Sequence, residues 1–126
     1  MNVEFIQRFC LSFPHAKENL QWGDSLCFKV GGKIFAVLAL SSVPPRLSFK
    51  CTPEKFGELV EQDGIAPAAY VGRYYWVSVE RLEALPWSEL QDLLRASYGL
   101  IVAKAKVGKM AEKRVRKSVR AEYRRR

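Results

Sequence analysis

The chain has 126 residues, 48% of them hydrophobic and 12% aromatic, and its 21 Lys/Arg outnumber its 13 Asp/Glu for a net charge of +8. That is one domain's worth of chain, too apolar to be disordered throughout, and its longest apolar run, Ile34 to Leu40, falls far short of the about 20 residues of a membrane span. Three scattered cysteines without a CxxC pair exclude a disulfide scaffold or a cysteine zinc site and suit reduced thiols, and MNVEFIQRF shows no signal-peptide pattern, so a cytoplasmic location is expected.

Val3 to Leu11 reads as a short helix, with Val3, Phe5, Ile6, Phe9 and Cys10 spaced to fill one face and Pro14 blocking its continuation. Ser25 to Val30 alternates as a strand, Leu26, Phe28 and Val30 on one side and Ser25, Cys27 and Lys29 on the other. Gly31-Gly32 is a two-residue loop able to take the positive φ angles of a tight hairpin, and Lys33 to Leu40 returns. A two-residue loop sets Val30 opposite Lys33, Phe28 opposite Phe35 and Leu26 opposite Val37, which builds one apolar face. Ser41 to Pro45 is a loop whose prolines suit a sheet edge or turn.

Arg46 to Lys50 alternates cleanly, with Leu47 and Phe49 inward and Arg46, Ser48 and Lys50 outward. Thr52-Pro53-Glu54 starts a second helix through an N-cap hydroxyl, a first-turn proline and an acid at the positive dipole end. That helix runs through Phe56, Leu59 and Val60 to Asp63-Gly64, a loop spans Ile65 to Gly72, and Tyr74 to Val79 is a further strand. Pro86 opens a long helix whose positions Leu90, Leu93, Leu94, Ser97/Tyr98, Ile101, Val102 and Ala105 keep the 3.6-residue period. The order α–β–β–β–α–β–α predicts an α+β two-layer sandwich, helices packed on an antiparallel sheet.

Charge is segregated along the chain. Lys104 to Arg126 hold 11 of the basic residues and only Glu112 and Glu122 as acids, a segment of +9, whereas residues 1–103 sum to −1. The sequence divides into a domain, 1–106, and a basic tail, 107–126, either a helical extension or disordered. Val107, Ala111, Val115, Val119 and Tyr123 recur every four residues in it, and Gly108 marks a break or hinge. Like charges at this density repel one another, and a polyanion relieves that repulsion.

Catalytic candidates are few. His15 is the sole histidine, the acids are dispersed, and the pairs Glu58/Glu61 and Glu80/Glu83 suit a solvated helix face. A cysteine nucleophile at Cys27 or Cys51 has no local signature behind it, and Gly31-Gly32 lacks the pattern of a phosphate-binding loop. No catalytic residue, cofactor or metal is expected. What remains is basic and aromatic: Lys29 and Lys33 flank a hairpin tip, Arg46 and Lys50 share the outer side of one strand, and Arg73 and Trp76 sit in the last strand, where an aromatic can stack on bases while cations hold phosphates. In the tail, Lys109, Lys113, Arg114, Arg116, Lys117, Arg120, Arg124, Arg125 and Arg126 add nine cations.

CLSFPHAKENLQWG, FKVGGKIFAVL, LSFKCTPE, PAAYVGRYYWVSV and LQDLLRASYGLIVAKA, in that order and spacing, resemble the MmcQ/YjbR family of small bacterial proteins over roughly residues 5–105. The resemblance implies a CyaY-like sandwich and, by analogy of fold, a double-wing DNA-binding arrangement through Lys29, Gly31, Gly32, Lys33, Lys50, Arg73 and Trp76. It brings no catalytic residue or cofactor. The iron binding of the frataxin branch does not carry over, since Glu4 is the only acid on the first helix. The expected function is non-enzymatic nucleic-acid binding, DNA rather than RNA, away from membranes and with low sequence specificity; the alternative is a small-molecule or protein-binding adaptor whose basic tail serves solubility.

Overall fold

The structure, a computed structural model, describes residues 2–21, 23–68 and 75–104. Its elements run α1 (Val3–Leu11), β1 (Lys17–Gln21), β2 (Ser25–Val30), β3 (Lys33–Ala39), β4 (Arg46–Lys50), α2 (Pro53–Leu59), β5 (Ile65–Pro67), β6 (Trp76–Val79), a 3-10 turn at Leu82–Ala84 and α3 (Trp87–Val102). The strands form an antiparallel sheet in the order β1-β2-β3-β4-β6-β5, and one face is covered by α1 and α3. This is the expected α+β sandwich, with every predicted element in its predicted order.

Local chemistry sets the boundaries. Asn2 caps α1 by accepting from Phe5 N–H, Thr52 caps α2 by accepting from Lys55 N–H with Pro53 in the first turn, and Pro86 precedes α3. Gly31 and Gly32 take φ of 61° and 81°, the left-handed pair that a two-residue hairpin loop requires. The second helix is shorter than expected: it ends at Leu59, and turns continue to Gly64, whose φ of 85° suits glycine.

Two strands join those read from the sequence. β1, KENLQ, is mostly polar because it is an edge with one neighbour, so it shows no alternating apolar signal. β5 lies at the other edge, where Pro67 is tolerated because no further strand needs its missing N–H.

The predicted β2–β3 register holds only at the tip. Val30 faces Lys33, but Phe28 then pairs with Ala36 and Leu26 with Leu38, because a bulge inserts Phe35 as an extra residue. Phe35 and Ala36 are both buried on the helix side, and Val37 turns to the opposite face. The gain is a ring cluster, with Phe35 packed edge-on against Phe13 and Tyr98 and Phe13 stacked on Tyr98 at 4.6 Å.

Continuing the β3–β4 pairing past Ala36 and Phe49 would set Phe35 opposite Lys50. The two backbones meet instead through the Ser97 hydroxyl of α3, which donates to Phe35 C=O at 2.7 Å and accepts from Lys50 N–H at 3.0 Å. Ser97 is fully buried, so both bonds operate without competition from water. This explains a serine inside the apolar stripe of a helix. Ser97→Ala is expected to lower unfolding free energy by about 1–3 kcal/mol in urea titrations, since it strands a buried donor and a buried acceptor together. A loss below about 0.5 kcal/mol, typical of surface substitutions, would show that the bridge is dispensable.

Candidate functional site

Pairing register sorts the strand residues onto two faces. On the side turned away from α1 and α3 stand Lys17, Lys29, Arg46 and Lys50, with Trp76 directly across the ladder from Lys50. Glu18 is the one acid within the described strands. It lies on the helix side, where Gln7 Nε2 donates to its two oxygens at 2.9 and 3.1 Å. The outward face therefore carries cations and no carboxylate at its described strand positions.

The cations are not evenly spread. Lys17 pairs directly with Lys29 at the hairpin end of the sheet, Lys33 is exposed at the hairpin tip, and Lys50 closes β4 at that same end. α3 rises toward it, fixed there by Ser97 and by the Tyr98 hydroxyl, which donates to Pro14 C=O at 2.7 Å. Two residues beyond α3, Lys104 acts on Lys50, whose ammonium is held below its ordinary pKa first by burial and then by that neighbouring charge. Lys104, the last described residue, thus adds its charge at the basic end of the sheet.

The predicted residues divide accordingly. Lys29, Lys33 and Lys50 come together, although Lys33 belongs by register to the helix-side face. Arg46 shares the outward face but stands at the opposite end, in a groove lined by Ser42, Val43, Pro44, Glu80 and Arg81. Trp76 lies on the expected face, away from Val77 and Val79, but is only 9% exposed, so it does not offer the stacking surface expected of it. Arg73 and the nine tail cations, together with the predicted boundary at 106/107, lie outside the described residues. Lys17 and Lys104 were not singled out from sequence. A hidden edge strand conceals the first, and only the direction of α3 gives the second its place.

A family model described as YjbR matches residues 11–100. The chain is 30% identical over 117 residues to the uncharacterized protein YbdF of Escherichia coli O157:H7, covering 90% of this chain and 93% of that one. Among solved structures it resembles DR2400 of Deinococcus radiodurans, described as a DUF419 domain, with TM-score 0.74 and 32% identity over 80% of this chain and 78% of that one. A Pseudomonas syringae protein shares the fold at TM-score 0.67 and 22% identity, covering 80% and 99% of the two chains.

None of these descriptions names an activity, so the chemistry rests on the side chains. Cys10, Cys27 and Cys51 are free and buried. Burial pushes the Cys10 thiol up to about 12 and the Cys51 thiol up to about 11, in the second case against the opposing pull of Lys50 and Lys55. Burial also raises Cys27, despite the nearby charge of Lys29. All three hold their protons near neutrality, the reverse of an activated nucleophile. No group of three or more metal-ligating side chains gathers among the described residues. A raised thiol pKa favours the fold fully below the ordinary value of 9.0, and that contribution is lost as pH climbs toward about 12. Maleimide labelling of the native chain near neutral pH is accordingly expected to run roughly tenfold or more slower than in urea and to accelerate with pH beyond the ordinary thiol range. A cysteine that labels equally fast in both states would contradict the assigned burial.

Proposed function

The chain belongs to the YjbR family, and we propose that it is a cytoplasmic, non-enzymatic nucleic-acid-binding protein, acting on DNA through phosphate contacts with low sequence specificity. One observation carries this reading: a segment of +9, Lys104 to Arg126, is joined to a body of −1. A block of like charge destabilises itself unless a polyanion neutralises it. A phosphate backbone does so by releasing its condensed counterions, whatever the base sequence. The lysines at the hairpin end of the outward strand face support the same partner, because Lys104, the first cation of that segment, acts electrostatically on Lys50.

The protonated thiols and dispersed acids give no support to hydrolysis or nucleophilic transfer. A small-molecule adaptor would be favoured by an open aromatic-lined pocket around Trp76 and Tyr70; Trp76 is buried and Tyr70 lies outside the described residues. Membrane attachment finds no helical anchor, since no described helix is long and apolar enough to cross a bilayer.

Duplex DNA titrated at several salt concentrations tests the reading. With six to ten cations engaged, log K should fall against log salt with a slope of about −5 to −9, and a chain lacking residues 107–126 should lose about half of that slope or more. Circular dichroism of the shortened chain checks that its fold is intact. Absence of binding at low salt, or a slope indifferent to the deletion, would remove the tail from the function.

A further inference from the structure

We propose that the groove at the Arg46 end of the sheet is a recognition site for a small α-amino acid with an apolar side chain, its carboxylate on Arg46 and Arg81 and its ammonium on Glu80. This inference stands apart from the nucleic-acid reading, which draws on the lysine end and the tail.

The groove encloses about 490 Å³, within the roughly 300–1,000 Å³ of small-molecule sites. Register places its charges. Leu47 pairs with Val79, so one further step along the ladder sets Arg46 opposite Glu80 on the outward face. Glu80 N–H donates to Gly64 C=O at 2.8 Å, which turns the Glu80 backbone toward β5 and leaves a non-hydrogen-bonded position against β4. Side chains there start close together, and opposite charges so placed ordinarily pair. Here they do not. Among the described residues, neither the Arg46 guanidinium nor the Glu80 carboxylate has an ion-pair or hydrogen-bond partner, and both line the same groove.

Arg81 brings a second guanidinium. It lies over Gly64, where a Cβ would come within 3.1–3.2 Å of it. Its ion pair to Asp63, at 3.5 Å, is open to water because the Asp63 side chain is 98% exposed. Such a pair contributes little, so a ligand carboxylate can replace it.

The lining decides the class of ligand. Two guanidiniums oppose a simple amine, and Glu80 opposes a dicarboxylate or a phosphate. A molecule with one carboxylate and one ammonium satisfies all three side chains. Directly opposed residues have Cβ atoms about 4.5–5.5 Å apart, so the groups taken by Arg46 and Glu80 must be close together, as they are around the α-carbon of an amino acid. Val43, 97% exposed, and Pro44 form an apolar wall that suits an aliphatic side chain, and Ser42 contributes a hydroxyl donor.

The test follows backbone amide shifts of the isotopically labelled full chain during titration with L-leucine, with isocaproate, which lacks the ammonium, and with isoamylamine, which lacks the carboxylate. L-leucine should give saturable shifts at Ser42, Val43, Arg46, Glu80 and Arg81 with a Kd of roughly 10 mM or tighter. Each analogue should bind about tenfold or more weakly. Glu80→Gln should weaken L-leucine about tenfold and tighten isocaproate, because it removes the repulsion between two carboxylates. A loss of structure does not produce that reversal. Arg46→Gln should weaken L-leucine and isocaproate together, by about fivefold or more. No saturable shift by about 50 mM L-leucine, or an analogue or inorganic phosphate that binds as tightly, overturns the site. So does an E80Q chain that does not separate the two ligands, or an R46Q chain that binds L-leucine as the parent does. Failure of the parent to bind duplex DNA touches only the nucleic-acid reading, and failure here touches only the groove.

Discussion

The Ser97 hydroxyl fixes the relation between the two layers. A bulge at Phe35 would otherwise leave β3 and β4 without a joining bond at the point where their pairing ends. One buried hydroxyl takes the carbonyl of one strand and the N–H of the other, so α3 can sit at only one height along the sheet. Everything downstream of α3 inherits that height. Lys104 comes within electrostatic reach of Lys50 because Ser97, two turns earlier, is bonded to the Lys50 backbone. A packing contact between apolar side chains would permit some sliding, whereas two short hydrogen bonds in a dry site do not.

The same bulge reorganises the core and the surface together. Moving Phe35 and Ala36 both onto the helix side brings a phenyl ring against Phe13 and Tyr98, and it turns Val37 outward. At its described strand positions the outward face consequently carries small, apolar and basic side chains, with Cys27, Ser78 and Trp76 buried and the lysines at one end. That end recognises charge and shape better than it recognises a particular small molecule, which agrees with low sequence specificity on the proposed reading.

The parts of the fold governed by local rules were legible in the sequence. Caps at Thr52 and Pro86, the glycine pair at the hairpin, and the 3.6-residue stripe from Leu90 to Val102 each carry their own signal, and each appears in its predicted place. What was hidden depends on tertiary partners. Lys17–Gln21 becomes a strand only because β2 offers it an edge, and Ile65–Pro67 because β6 does. The bulge is unreadable because Phe35 and Val37 look equally fit for a core, and the aromatic cluster that chooses Phe35 comes from distant segments. For the candidate site, Lys29 and Lys50 were visible as outward strand positions. The burial of Trp76 was not, since alternation gives a side chain's face and says nothing of what surrounds it. The position of Arg46 at the far end of the sheet likewise follows from strand direction and register.

The basic tail and the lysine end gain from standing together. A basic segment attached far from other cations would meet a phosphate backbone as a separate low-affinity ligand. On the proposed reading, a segment that begins at Lys104, within electrostatic reach of Lys50, would meet the same polyanion at an effective concentration in the millimolar range typical of a short tether. Two weak sets of phosphate contacts would then act as one site. Among the described strand residues the body's one acid, Glu18, lies on the helix side. Net charge alone would describe a neutral domain carrying a basic appendage. The register describes a polarised domain whose last described cation, Lys104, adds its charge at the basic end.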